Sequence, residues 1–414
     1  MIRDMAKSVV GMLNDRGYYP RIDEVSAFPG VAEVSVRGKA CVNFSSNDYL
    51  GFTRHPEIIE ASSAALAEYG SGSGGSRLTS GTQTMHRCLE ERIAQFKGKE
   101  DAVVFSAGYL ANTGIIPALV GAPLKSLITS LDPDNSIFPP CEIFLDELVH
   151  SSIIDGLSIA TSRIFGNRTR FRFYNHLDVD HLESFLVSSE AENKLIITDG
   201  VFSLHGRMAP LSKIVEVARK HRAEVYVDDA HGTGVLGLNG LGTAEHFGVS
   251  EDIDFPVGTL SKALGGSGGF IAGSKDFCDY LRVACRTHVY QTSMAPAMAA
   301  GLIKAFDLIQ QEPERRRNLA RSAVHVNKEL IRLGFDTFGS KTQIIPVRFW
   351  TEQKAKRATE MLLDSGVFAP CYYYPAVRRD EAMVRINLMA THSDEQLSML
   401  LTALEAAGRD TGVI

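Results

Sequence analysis

Cysteine is scarce and scattered in this chain: six in 414 residues, at Cys41, Cys88, Cys141, Cys278, Cys285 and Cys371, with no C-x-x-C pair among them. Such spacing implies neither a disulfide framework nor a zinc cluster, so no metal is expected and a reducing cytoplasm fits best. A long apolar run is missing too. Met5, Val9, Met12 and Leu13 recur at helical spacing near the start, but Asp4 and Lys7 break a stretch already too short for a signal peptide or a membrane span. It reads as an amphipathic surface helix over residues 1–17. Positive charge is not in excess: the net charge is -6 with 22% of residues charged, and no basic patch suggests nucleic acid. What remains, 44% hydrophobic, is the composition of a soluble globular protein whose length allows a sizeable core and roughly two to three domains of ~150 residues.

The most informative stretch runs from Val225 to Phe270. Val225-Tyr-Val-Asp228-Asp229-Ala-His231-Gly232 is an apolar strand that ends in two carboxylates and a histidine. In open α/β sheets, ligands sit outside the carboxyl ends of such strands, so Asp228 is delivered to a site. Further on, Gly258-Thr259-Leu-Ser261-Lys262-Ala-Leu-Gly265-Gly266 sets a lysine among small residues after a second apolar segment. A lysine in a partly dry setting has its pKa lowered from ~10.4 and becomes a nucleophilic amine able to form Schiff bases. Pyridoxal phosphate chemistry needs that lysine, and it needs an acid against the pyridine nitrogen. Lys262 and Asp228 fit the two roles.

This stretch resembles the α-oxoamine synthase family of fold-type I pyridoxal phosphate enzymes, and the resemblance covers nearly the whole chain. It implies an α/β fold: a large, mixed but mostly parallel sheet domain over residues 56–298, an N-terminal helix and hairpin over 1–55, and a smaller C-terminal α+β domain over 299–414. It also implies catalytic roles for Lys262, Asp228, His150 and His231. His150, in Asp146-Glu-Leu-Val-His150-Ser-Ser152, matches the histidine that stacks on the cofactor ring, and His231 would hydrogen-bond its 3'-oxygen. Ser106-Ala107-Gly108-Tyr109 lies at a strand-to-helix junction whose backbone N–H groups suit a phosphate. The family usually shows Ser or Cys where Ala107 stands, so one hydroxyl contact is absent here. Ser203, in Val201-Phe-Ser203-Leu-His205-Gly, would approach the 3'-oxygen, with His205 in place of the family's acid, and Thr259 would add a cofactor contact. Thr292, in Tyr290-Gln-Thr292-Ser293, would reach the phosphate from a partner subunit of a homodimer with shared active sites.

Three further residues are implied substrate contacts: Asn47 in Asn47-Asp48-Tyr49-Leu50-Gly51, Arg77 in the glycine-rich run Gly70 to Thr82, and Arg385 in Val384-Arg385-Ile-Asn387. Arg385 would hold the substrate carboxylate, a role suited to a bidentate guanidinium. Tyr372-Tyr373-Tyr374-Pro375 would shape an acyl pocket. The implied reaction joins Ala, Ser or Gly to an acyl thioester, carried by coenzyme A or an acyl carrier protein, with release of carbon dioxide and thiol. A carbon–carbon lyase of the 2-amino-3-ketobutyrate CoA ligase type and an aminotransferase are the alternatives.

Local patterns add a hairpin at 31–42 turning near Arg37-Gly38, and a helix at 56–69 with Ile58, Ile59, Ala65 and Leu66 on one side. A proline-rich loop follows at 121–141, and a strand is expected from Arg163. Two literal motifs mislead. Gly232-Thr-Gly234-Val-Leu-Gly237 matches the dinucleotide G-x-G-x-x-G, but more glycines follow it where a helix should open. Gly265-Gly-Ser267-Gly-Gly269 matches the hydrolase G-x-S-x-G, but an apolar strand follows where the nucleophile elbow has a helix. Its glycines are expected to let backbone pass close to Lys262.

Overall fold

The protein is described from a computed structural model covering residues 2–19, 22–27, 30–124, 130–131, 137–162 and 169–414. The first helix, Ile2–Asp15, buries none of its side chains, and Met5, Val9 and Met12 are exposed, as a surface helix requires. The strands Val25–Ala27 (β1), Glu33–Val36 (β2) and Lys39–Asn43 (β3) form an antiparallel meander. β2 and β3 are joined through Arg37 and Gly38, both with positive φ of 52° and 76°. That left-handed pair matches the twist of a two-residue hairpin.

The central sheet has seven strands: Asp101–Phe105 (β4), Cys141–Asp146 (β5), Arg170–Tyr174 (β6), Asn193–Asp199 (β7), Glu224–Asp228 (β8), Phe255–Thr259 (β9) and Gly269–Gly273 (β10). They lie in the order β4-β10-β9-β8-β7-β5-β6. β6, β5, β7, β8 and β9 run parallel, and β10 runs antiparallel between β4 and β9. The long Val and Ile runs form strands because both faces are covered. Tyr226 of β8 joins one apolar layer with Ile115, Ile143 and Ile197, while Val225 and Val227 join the opposite layer with Phe144, Ile196 and Ile214.

The C-terminal region carries Ile344–Trp350 (β11), Val367–Phe368 (β12), Cys371–Tyr372 (β13) and Ala382–Asn387 (β14). β11, β14 and β13 make a second sheet, with Pro346 opposite Arg385. β12 pairs in parallel with β3, so the N-terminal hairpin and the C-terminal region share one sheet.

One expectation is corrected. In helix Pro56–Tyr69, Ile58 and Ala65 are buried, but Ile59 and Leu66 are about half exposed. The helix packs on Pro296–Gln311 along a single narrow stripe, which leaves its flank open within the protomer. The glycines of 265–269 bring backbone close to Lys262, and they also admit more distant segments. Gly265 N–H does close a turn on the Lys262 carbonyl at 2.9 Å, but a Cβ at Gly265 would strike the backbone of Phe52 and Thr53. One at Gly269 would strike Gly108. No helix opens at Gly232–Gly237, where the chain instead turns repeatedly. The expected 121–141 loop lies partly outside the described residues, as does the expected strand start at Arg163; β6 begins at Arg170.

Those turns enclose Asp229, which accepts hydrogen bonds from Thr243 N at 3.0 Å and from the Thr243 hydroxyl. A Cβ at Gly242, whose φ is 116°, would overlap that carboxylate, whereas one at Gly38 would meet no atom within 4 Å. Gly38→Ala should therefore cost only the left-handed strain of ~1 kcal/mol. Gly242→Ala adds displacement of a buried carboxylate and should cost at least about 2 kcal/mol more. Thermal unfolding of the two variants, with Gly242→Ala melting several degrees lower, checks this.

Candidate active site

The carboxyl ends of β7, β8 and β9 and the N-terminus of helix Gly108–Leu119 enclose a cavity of about 260 Å³. Lys262, Asp228, His231, His150, Ala107, Gly108, Tyr109, Ser203 and Thr259 all line it, so nine residues read from five separate motifs converge.

Asp228 sits on the last position of β8 and is held by the helix opposite. Asn112 Nδ2 donates to Asp228 Oδ2 at 2.7 Å and to Ser152 Oγ at 2.8 Å, while Asn112 Oδ1 accepts from Tyr226 OH at 2.5 Å. Tyr226 and Asp228 can share that partner because residues two apart lie on one face of a strand. The Ala230 N–H donates to the other carboxylate oxygen at 3.1 Å. Ser152 Oγ also lies 2.7 Å from His150 Nδ1, which sets the imidazole at the start of helix Ser151–Ala160. Asp199 pairs with Asp228 across the β7–β8 ladder and accepts from His150 N at 3.2 Å. Burial, then the neighbouring Asp228, pushes the Asp199 carboxyl well above its usual range.

Lys262 Nζ lies 2.7 Å from His231 Nε2, and His231 Nδ1 lies 2.6 Å from the Tyr49 hydroxyl. Burial lowers the Lys262 amine from 10.5 to about 8, with Asp228 and Asp199 opposing and Arg385 assisting the shift. Burial likewise holds His231 and His150 below the ordinary imidazole range. Thr259 Oγ1 is fixed by Ser261 Oγ at 2.8 Å and by the Gly268 carbonyl at 2.9 Å.

The remaining expected residues lie outside this cavity. Arg385 is buried on β14 with its guanidinium facing Tyr49, and its Nε has no hydrogen-bond partner. Asn47 Oδ1 lies 3.2 Å from Tyr49 OH and accepts from Asn387 Nδ2 at 3.1 Å. Arg77, expected to touch substrate, is engaged by Glu90 at 2.9 Å and by Thr82 Oγ1 at 3.0 Å and does not line the cavity of its own protomer. Thr292 is exposed and pairs its backbone with Ser76.

Asn112, Ser152, Tyr49, Asp199 and Gln343 hold the expected residues, and no sequence motif assigns them to the site. A buried Asn one turn after Gly108, inside an otherwise apolar helix, is the readable signal for the first. A second cavity of about 660 Å³ adjoins, sharing His150 and Ser203, with Phe202, His205, Arg207, Phe338, Tyr374, Pro375 and Arg378 in its wall. His205, standing where an acid was expected, is buried; that burial and nearby His176 push it down to about 4.

The profile of a family described as aminotransferase class I and II matches residues 39–404. The chain belongs to that family, in its α-oxoamine synthase branch. An 8-amino-7-oxononanoate synthase of Geobacter sulfurreducens is 39% identical, with 99% of this chain and 100% of that one covered. The enzyme of the same description from Geobacter metallireducens is 40% identical over 97% of each. Among solved structures, a serine palmitoyltransferase of Sphingomonas wittichii superposes with a TM-score of 0.88 at 31% identity, covering 99% of this chain and 98% of that chain.

The family's cofactor fits the residues present. Orphan N–H groups of the helix starting at Gly108 suit a phosphate. A Cβ at Gly108 would press on Thr259 Oγ1 at 3.0 Å, so glycine keeps that cradle open. Asp228 offers a carboxylate to a protonated ring nitrogen, and Lys262 an amine to an aldehyde.

Because burial favours the neutral amine, Lys262 should be half deprotonated near pH 8 while surface lysines, with ordinary values near ~10.4, stay charged. In protein stripped of pyridoxal phosphate, an amine-acylating reagent at pH 8 is expected to label Lys262 first, read by peptide mass spectrometry. Labelling no faster than at surface lysines would contradict the assignment.

Proposed function

We propose that this protein is a pyridoxal phosphate-dependent α-oxoamine synthase: it condenses Ala, Ser or Gly with an acyl thioester, releasing carbon dioxide and free thiol and giving an α-amino ketone. The observation that carries this reading is the meeting of Lys262 and Asp228 at one cavity, with Arg385 buried beside it. The relatives named 8-amino-7-oxononanoate synthase and serine palmitoyltransferase support the reaction class.

Pyridoxal phosphate, when bound, supplies an electron sink for charge developing at the amino acid's α-carbon. Lys262 Nζ, with an amine near neutrality, takes the α-proton and returns it. Asp228, fixed by Asn112 and the Ala230 N–H, would hold a proton on the ring nitrogen. His150, His231 and Ser203 line the cavity and would hold the cofactor there, His150 as the stacking imidazole and His231 and Ser203 as hydrogen-bonding partners. Arg385 grips the substrate carboxylate; its unpartnered Nε and its buried position favour an anionic guest there. Asn47 borders the same region.

The 660 Å³ cavity, sharing His150 and Ser203 with the cofactor space, suits the acyl thioester. Tyr374 and Pro375 form part of its wall, in keeping with an acyl-shaping role for that loop. The thiol carrier is coenzyme A or an acyl carrier protein.

We assign the working form as a homodimer with shared active sites. Thr292 and Arg77 lie outside their own protomer's cavity, and Ile59, Leu66 and Leu78 in one segment and Tyr290 and Met298 in another are exposed apolar side chains. We divide the chain into 1–55, 56–298 and 299–414, with the β3–β12 pairing tying the first part to the third. A cytoplasmic location agrees with six free thiols. Among the described residues no helix is long and apolar enough to cross a membrane.

The test is an assay of thiol and carbon dioxide release with Gly, Ala and Ser against acyl-CoA thioesters of increasing length. Equal release of both, dependent on both substrates, is expected. Keto-acid release without a thioester would mark an aminotransferase, and cleavage of 2-amino-3-ketobutyrate in preference to condensation would mark the lyase. Lys262→Ala should lose the visible absorbance of bound pyridoxal phosphate and at least ~1,000-fold in turnover. Arg385→Lys should raise KM for the amino acid by about tenfold or more, since a point charge replaces a two-pronged grip.

A further inference from the structure

We propose that Tyr49 is a positioning residue: it dictates which nitrogen of His231 carries the hydrogen, and so makes His231 a donor toward Lys262 and the cofactor. The proposal rests on the assignment of Lys262 given above. It goes beyond that assignment by giving a role to a side chain that lies outside the cavity.

Donors and acceptors along one buried chain fix the direction of each hydrogen bond in it. Tyr49 is completely buried, and burial pushes its phenol up to about 12, so the hydroxyl keeps its hydrogen at any working pH. The Arg385 guanidinium and the Gln343 side chain lie near the phenol and favour its oxygen, the negative end of the O–H dipole, facing them. The hydroxyl must therefore place its own hydrogen on an acceptor. Two are in reach: His231 Nδ1 at 2.6 Å and Asn47 Oδ1 at 3.2 Å. Asn47 Oδ1 already accepts from Asn387 Nδ2 at 3.1 Å, so the shorter contact takes the hydrogen.

His231 is held neutral by burial, then by Lys262, Arg385 and His150 around it. A neutral imidazole that accepts at Nδ1 carries its hydrogen on Nε2. Nε2 is the atom 2.7 Å from Lys262 Nζ, so it donates to the amine lone pair and favours the uncharged lysine. The ring is steadied from behind, where Gln343 Nε2 donates to the His231 carbonyl at 2.9 Å. The remaining charged groups facing Lys262 are Asp228 and Asp199, which favour the ammonium, and Arg385, which opposes it. Tyr372 faces Tyr49 from β13.

Tyr49→Phe keeps the ring and removes only the hydroxyl. The direct readout is the long-range ¹⁵N–¹H NMR spectrum of histidine-labelled protein loaded with pyridoxal phosphate, with His231 assigned by the loss of its signals in His231→Asn. Wild type is expected to show His231 as the Nε2–H tautomer near neutral pH, and Tyr49→Phe to show it mixed or reversed. In turnover, the limb of the pH profile that reports Lys262 should move up by about one unit in Tyr49→Phe, because Nε2 is then free to accept from the ammonium. An Nδ1–H tautomer in wild type would overturn the proposal even if the variant failed to fold. So would an unchanged tautomer and an unmoved profile in a folded Tyr49→Phe. Failure of Lys262 to bind pyridoxal phosphate would show separately, as absent visible absorbance.

Discussion

The register of β8 against its neighbours is the constraint on which the site depends. Val225 and Val227 point into one apolar layer and Tyr226 into the other, which leaves Asp228 as the first residue past the core on the Tyr226 face. A slip of one residue would turn every side chain of the strand over, drive Tyr226 into the wrong layer and carry Asp228 away from Asn112. Asn112 couples the two outcomes, since it binds Tyr226 through one atom of its amide and Asp228 through the other. Packing and chemistry are therefore specified by the same two-residue period.

Charge is managed around that strand end by spreading partners over several elements. Two carboxylates, Asp199 and Asp228, end adjacent parallel strands, and burial first, then the like charge of Asp228, raises Asp199. Lys262 and His231 face the pair, and burial holds both nitrogen bases below their usual values. The opposed shifts leave an amine that can exchange a proton near neutrality beside a carboxyl raised above its usual range. Behind them Asp229, next in sequence to Asp228, does something unrelated. It ties together the glycine turns through Thr243, so the two neighbouring carboxylates divide into one for the cavity and one for the loop.

Much of this is legible in the sequence because it is local. An apolar strand ending in Asp228, a lysine among small residues and a small-residue junction at Ala107-Gly108 each follow from short-range pattern, and all three reach the cavity. The mostly parallel sheet with a smaller C-terminal domain comes instead from the resemblance of these motifs to the α-oxoamine synthase family. What sequence pattern does not carry depends on long loops closing. Gln343 reaches His231 across 112 residues and Asn387 reaches Asn47 across 340, with no periodicity to announce either contact. The glycines of 265–269 are close-approach positions, as their clustering suggests, but their neighbours, Phe52, Thr53 and Gly108, come from remote segments. Arg77 matches a motif, yet in the protomer it serves Glu90; a motif names a residue type and leaves its partner to the fold.

The most direct measurement of the central claim is chemical. The protein loaded with pyridoxal phosphate is treated with borohydride, which fixes the linkage between cofactor and lysine, and the digested peptides are mapped by mass spectrometry. The account predicts a single reduced pyridoxyl adduct, on Lys262, and its loss in Asp228→Ala only to the extent that binding is lost. An adduct on another lysine, or none in a protein that has taken up the cofactor, would contradict it.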